Sequence, residues 1–370
     1  MPEQQVLPIN LSQRLLRQIS QDGPMSVAHY MTLCLLDPRH GYYPTRDPIG
    51  AGADFITAPE ISQIFGELIG ICLANCWQAM GKPKTTQLVE LGPGKGTMMS
   101  DILRTAHSIP EFCKSLQVHL IEASAALIAV QAKTLGGFPQ TINWTDALND
   151  TGSGPLLLVA NEYLDCLPVR QFVRQKDFWF ERLIALSDTD ELQFTLSTTP
   201  LAETELKLIP PALRQAPDNT LAEIRSGLAG FFEPLAERAK NDPVMALFID
   251  YGSAKSEAGD SLQAVSKHQK VDPLKRSGEV DLTAQVDFAE LSRIANQAGL
   301  LTSNIVTQGS WLQQMGLLER AAALSSGQTG ARAKIARQVH RLSDDSEMGK
   351  LFKVMAVYSK GLEEPTGFDV

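Results

Sequence analysis

Leu88–Met99 reads LVELGPGKGTMM. A short apolar run ends in Glu90, and three glycines follow in five residues, at 92, 94 and 96. Apolar run, glycine loop and helix start is the local pattern with which several nucleotide-binding folds begin. A phosphate-cradling P-loop needs Gly-Lys followed by Ser or Thr. Here Lys95 is followed by Gly96, so the hydroxyl that would hold magnesium is missing from its place. A dinucleotide fingerprint needs a third glycine at the position Thr97 occupies. Glu90 also speaks against a pyrophosphate, because a carboxylate at the strand end repels it.

The same carboxylate suits a ligand that carries an ammonium. S-adenosyl-L-methionine has no phosphate and two positive centres, and Glu90-Leu-Gly-Pro-Gly-Lys-Gly has the acid–glycine spacing of class I methyltransferases. The flanking pattern agrees. A second strand, QVHLIEA (117–123), ends in Glu122, where such folds place a carboxylate for the ribose hydroxyls. TINW (141–144) reads as a third strand, followed by Asp146 where the adenine would lie. Trp144 serves equally as an adenine contact or as a core aromatic. A continuous apolar run in GPLLLVANEYLD (154–165) fits a parallel strand buried on both faces. It ends in Asn161, Glu162 and Asp165, whose carboxylates need partners. Those partners are a substrate or a structural ion pair. PVMALFIDYG (243–252) is a further strand of this kind, ending in Asp250 and Tyr251.

Alternating strands and helices predict an α/β fold, a Rossmann-like sheet of the class I methyltransferase type. A helical N-terminal region with a lid loop is expected over 1–84, with helices in 11–36 and 60–80. The cofactor-binding core is expected over 85–190 and 243–310. An insertion covers 191–242, after a hairpin excursion, with 201–240 reading as helical. A helical segment and closing strand complete the chain over 311–370, where 301–307 and 352–358 pair. The Gly-, Pro- and Asp-rich loop 37–60 is too long to be an idle connection and supplies Asp54 and Glu60 as lid residues.

The 370 residues carry 33 Lys and Arg against 42 Asp and Glu, a net charge of −9. That balance disfavours nucleic acid, whose phosphates need clustered cations, and favours a cationic partner. No apolar run approaches the roughly 20 residues of a membrane span. The five cysteines form no CxxC pair or zinc-type cluster; Cys72 and Cys76 share a buried helix stripe. The N-terminus lacks the marks of a signal or transit peptide. The expectation is a bacterial cytoplasmic protein, or one from the mitochondrial matrix if a presequence has been removed.

A wider set of motifs recurs in order: GYY (41–43), DFITAPEISQIFGELIG (54–70), VELGPGKGTMMSDILR (89–104), ANEYLDCLPVRQF (160–172), IDYG (249–252), DSLQAV (260–265), GEVDLTAQVDF (278–288), TQG (307–309) and MGKLFKVMAV (348–357). Over nearly its whole length the chain resembles the MidA-like family of methyltransferases, which includes the mitochondrial complex I assembly methyltransferase. The resemblance implies an arginine side chain of a respiratory complex I type subunit as methyl acceptor. The chain departs from the family at Ala53, where glycine is expected, and at Gln285, where histidine is expected. If that histidine is a proton acceptor in relatives, Gln285 does not replace it; it is otherwise a polar loop residue.

With an arginine substrate, Glu162 and Asp165, beside Asn161, are the candidates to hold the guanidinium. Glu60 and Asp54 would cover the site, and Asp250 and Tyr251 would complete its wall. Glu90, Gly92, Gly94, Gly96, Glu122, Trp144 and Asp146 are the candidate cofactor contacts. A small-molecule methyltransferase and an assembly factor that binds the cofactor without turnover are the competing readings.

Overall fold

The computed structural model describes residues 10–45, 57–266, 269–326 and 330–369. The chain divides into two compact units. The larger comprises 49–165, 227–256 and 285–370, and the smaller 1–48, 166–226 and 257–284.

The larger unit is built on one sheet. Its strands are β1 (Thr86–Leu91), β2 (Leu116–Ile121), β3 (Ile142–Thr145), β4 (Leu156–Asn161), β5 (Val244–Ser253), β6 (Leu301–Thr302) and β7 (Phe352–Tyr358). They lie in the order β6-β7-β5-β4-β1-β2-β3, and two further two-residue strands, Val286–Asp287 and Val306–Thr307, pair with β5 and β7. β1 to β5 run parallel, with Glu90 opposite Leu120, Leu91 opposite Ala160 and Asn161 opposite Ile249. β7 enters antiparallel to β5, with Met245 opposite Tyr358. Every residue of β1 and of β4 is buried, as expected of apolar runs covered on both faces. The strand pair expected at 301–307 and 352–358 is present.

Three helices and one short turn of this unit bear on the site: α1 (Ala58–Ile61), α2 (Gln63–Ala79), α3 (Thr97–His107) and α4 (Ala125–Leu135). Ser62 and Ser124 cap α2 and α4 with their hydroxyls, satisfying amide groups that have no partner within the helix. The core runs from Phe65, Leu68 and Leu73 of α2 through Leu88, Leu157 and Leu247 of the sheet.

In the smaller unit, helices Leu11–Asp22 and Val27–Leu36 are separated at Gly23 and Pro24 and by the short strand Met25–Ser26. A five-stranded sheet contains Arg170–Gln175, Phe178–Leu186, Leu192–Pro200, Leu221–Ile224 and Met25–Ser26. A three-stranded sheet contains Gln263–Ser266, Gln269–Val271 and Asp281–Thr283. The helical expectation for 201–240 needs correction. Residues 203–208 and 211–213 form 3₁₀ turns, 221–224 is a strand, and the α-helix is confined to Leu228–Arg238. Pro200, Pro210, Pro211 and Pro217 each lack the N–H that helix propagation needs. The apolar residues there, Ile209 and Leu213, instead pack with Phe172 and Trp179. Among the described residues no helix is long and apolar enough to cross a membrane.

Candidate functional site

In an open parallel sheet, ligands bind outside the carboxyl ends of the strands, where the strand order reverses. Here the reversal falls between β1 and β4, because β2 and β3 continue on one side and β5 on the other. The loop after β1 and the turn after β4 therefore flank one crevice. They touch: a Cβ added at Gly92 would lie 3.0 Å from Cδ2 of Tyr163. Gly92, Gly94 and Gly96 all have positive φ, at 59°, 54° and 78°, a conformation glycine adopts without steric cost. Gly96 caps α3, whose N-terminus therefore opens at this loop.

Glu90 is 2% exposed, and among the described residues its Oε2 has no hydrogen-bond partner. Burial, and then the charge of Glu122, push its carboxyl up to about 8. A buried acid in this state is costly unless a cation or donor meets it.

Glu122 follows β2 and is half-buried. It accepts from the Ser124 backbone N–H at 2.8 Å and from Gln131 Nε2 at 3.1 Å. Burial raises its pKa in spite of those bonds. Gln131, on α4 and fully buried, also donates to the Gly94 carbonyl at 2.7 Å and accepts from Trp144 Nε1 at 2.8 Å. One amide thus joins the glycine loop, the end of β2 and the indole on β3. The Trp144 ring packs against the apolar core while its N–H serves this network. Asp146 is exposed, one residue past β3. Gln131 escapes a motif search, but Leu127, Gln131 and Leu135 form one buried helix stripe. A polar residue at the centre of an apolar stripe is the available signal.

The turn after β4 carries the second set. Glu162 has φ +50°, a left-handed conformation unusual for a residue with a side chain. Its N–H is fixed to the Ile249 carbonyl at 2.9 Å. Its Oε1 accepts from Asn161 Nδ2 and from the Ala58 N–H, each at 3.2 Å. Burial, and then the charge of Asp165, raise its carboxyl to about 7 despite these donors. Asn161 is 7% exposed, and its Oδ1 has no partner among the described residues.

Asp165 is buried, and its backbone N–H donates to Asp250 Oδ2 at 3.2 Å. Asp250, 1% exposed, also accepts from the Leu164 N–H at 2.9 Å and, through Oδ1, from the Tyr251 N–H at 2.9 Å. Its carboxylate thus braces the backbone of the turn. Tyr251 stacks edge-on against Phe352 at 5.9 Å.

Glu60 on α1 accepts from the Thr97 hydroxyl at the start of α3. With the Ala58–Glu162 bond, the Thr57–Glu60 segment meets both the glycine-loop helix and the turn after β4. Asp54 and Ala53 lie outside the described residues. Gln285 is exposed, next to the short strand Val286–Asp287.

The residues present fit S-adenosyl-L-methionine. Glu90 is a buried acid whose Oε2 lacks a partner among the described residues, a side chain at Gly92 would press on Tyr163, and Glu122 presents a half-buried carboxylate after β2.

A family model described as "Putative S-adenosyl-L-methionine-dependent methyltransferase" matches residues 68–306. The chain is 34% identical to the protein arginine methyltransferase NDUFAF7, mitochondrial, of Danio rerio, over 94% of this chain and 86% of the relative. It is 33% identical to the Homo sapiens protein of the same name, over 93% and 82%. It superimposes on the crystal structure of a Burkholderia thailandensis protein bound to S-adenosyl-homocysteine with a TM-score of 0.85, 27% identity, and coverage of 96% and 93%. Both curated relatives are mitochondrial by name, which overturns the expectation of a bacterial cytoplasmic protein.

Proposed function

The chain belongs to the S-adenosyl-L-methionine-dependent methyltransferase family, and from that premise we propose that it methylates an arginine side chain of a protein, as its relatives are named for doing. The family resemblance directs the proposal to a subunit of a respiratory complex I type assembly.

The observation that carries this reading is Glu162: an acid in a strained backbone conformation, raised to about 7, with Asp165 close enough to raise it. It sits at the end of β4, next to Tyr163, the residue that meets Gly92 of the glycine loop. When bound, the cofactor supplies an electrophilic methyl group on sulfur. Glu162 offers a carboxylate to the guanidinium fork, and the unpartnered Asn161 Oδ1 is a second acceptor beside it. Holding two nitrogens in this way leaves the third directed at the methyl and localises its lone pair. Once the methyl group has replaced its bond to sulfur by one to nitrogen, the guanidinium would shed its surplus proton to Glu162 through a nitrogen that this carboxylate holds. An acid whose pKa lies near neutrality is matched to accepting it. Asp250 keeps this geometry through the backbone of 164 and 165.

Incubating the purified chain with methyl-labelled cofactor and a mitochondrial extract, then hydrolysing the labelled protein, should yield labelled methylarginine. Label recovered only in a small molecule, or none in any product despite cofactor binding, would sink the proposal. Glu162→Gln should keep cofactor affinity and lose transfer by about 100-fold or more. Retained activity would remove Glu162 from the reaction.

A further inference from the structure

We propose that Gln131 is the positioning residue of the cofactor pocket, the single side chain that sets the glycine loop, the ribose acid and the β3 indole relative to one another. This rests on the methyltransferase reading above and concerns a residue that need not touch the cofactor.

Its side-chain amide is fully buried, and its hydrogen-bonding capacity is nearly spent. Nε2 has two N–H donors; one goes to the Gly94 carbonyl at 2.7 Å and the other to Glu122 Oε2 at 3.1 Å. Oε1 accepts the Trp144 indole N–H at 2.8 Å. The three partners fix the orientation of the amide, since two require a donor and the third requires an acceptor. They come from three different segments: the glycine loop, the residue after β2, and strand β3.

The arrangement has two consequences. Gly94, at φ 54°, has its carbonyl bonded to Gln131, so the shape of the loop is supported by a contact within the protein itself. Glu122 has one oxygen tied to the Ser124 N–H and the other to Gln131, with a further backbone bond from Ala123, which fixes the carboxylate plane that a ribose would meet. Preorganisation of this kind raises affinity by removing the ordering cost of binding.

Gln131→Met keeps the length and volume of the side chain and removes both bonding functions. Calorimetric titration should show the Kd for S-adenosyl-methionine and for S-adenosyl-homocysteine raised at least tenfold. The kcat at saturating cofactor, and the KM for the protein substrate, should stay within twofold of wild type. A Kd within twofold of wild type, or a fall in kcat with unchanged Kd, would overturn the proposal.

Trp144→Phe provides the second arm. It should raise the cofactor Kd about threefold in the wild-type background and cause no further rise on top of Gln131→Met, because the bond it deletes is already gone. Full additivity overturns the proposal, as does an unchanged Kd in the single Trp144→Phe variant, which also decides the matter if Gln131→Met does not fold. Absence of cofactor binding by the wild-type chain would defeat the methyltransferase reading itself.

Discussion

At the residue scale, Glu90 is read from its place at the strand end as facing a cationic ligand, and its burial with no partner for Oε2 among the described residues supports that reading. Glu90→Gln retains the shape and removes the charge. Cofactor Kd should rise about 10- to 100-fold, the worth of roughly 1.5–3 kcal/mol for a charged hydrogen bond, while the ligand-free variant melts no lower than wild type at pH 8. Calorimetry and thermal melts would check both, and unchanged affinity would remove Glu90 from the site. Gln131 shows the opposite case. Nothing in AALIAVQAKTL marks the glutamine except its position between Leu127 and Leu135, and its three partners come from distant segments. Asp250 was expected as part of the site wall by its position alone. Its bonds to Leu164 and Asp165 depend on how the β4 turn folds back, which no local pattern encodes.

At the element scale, legibility followed burial. β1, β4 and β5 are apolar runs because both faces are covered, so β1 and β5 could be read to within a residue and β4 located inside 154–165. Residues 201–226 could not, because their apolar spacing reflects packing in the smaller unit while prolines interrupt the helix that the spacing suggested. The α2–α3 contact was equally hidden. A Cβ at Gly66 would come within 2.6 Å of Asp101 Cβ, and one at Gly70 within 2.9 Å of Thr105 Cβ. These glycines let α2 lie directly on the helix that begins at the glycine loop. Gly66→Ala should therefore destabilise by about 1–3 kcal/mol through overpacking. Gly230→Ala, in a helix position with nothing within 4 Å of the added Cβ, should stabilise by about 0.4–1 kcal/mol. Urea midpoints would test the pair, and a common sign for both would refute the packing account.

At the scale of the whole molecule, three acids of the larger unit share an electrostatic condition. Glu90, Glu162 and Asp101 are raised to about 8, 7 and 6, chiefly by burial. Between the ordinary carboxylate range and its own raised value, each holds a proton in the folded chain that the unfolded chain has already released. Their contribution to stability is therefore fully present below the ordinary carboxylate range and is lost as pH climbs through those three values. Glu67 acts in the opposite direction. Burial alone would raise it, yet its bonds to Arg320 at 2.7 and 3.0 Å, with Gln63 and Arg104, hold it low, so its contribution is lost as pH falls. Through these raised acids the ligand-free protein should lose melting temperature as pH rises from 6 to 8. A ligand with an ammonium beside Glu90 favours the ionised form, so it binds more tightly where that acid is already charged. The rise in melting temperature caused by saturating S-adenosyl-methionine should accordingly be larger at pH 8 than at pH 6, as measured by circular dichroism at fixed ionic strength. An equal or smaller rise at pH 8 would mean that the buried acids at the carboxyl edge of the sheet do not face the cofactor's positive charge.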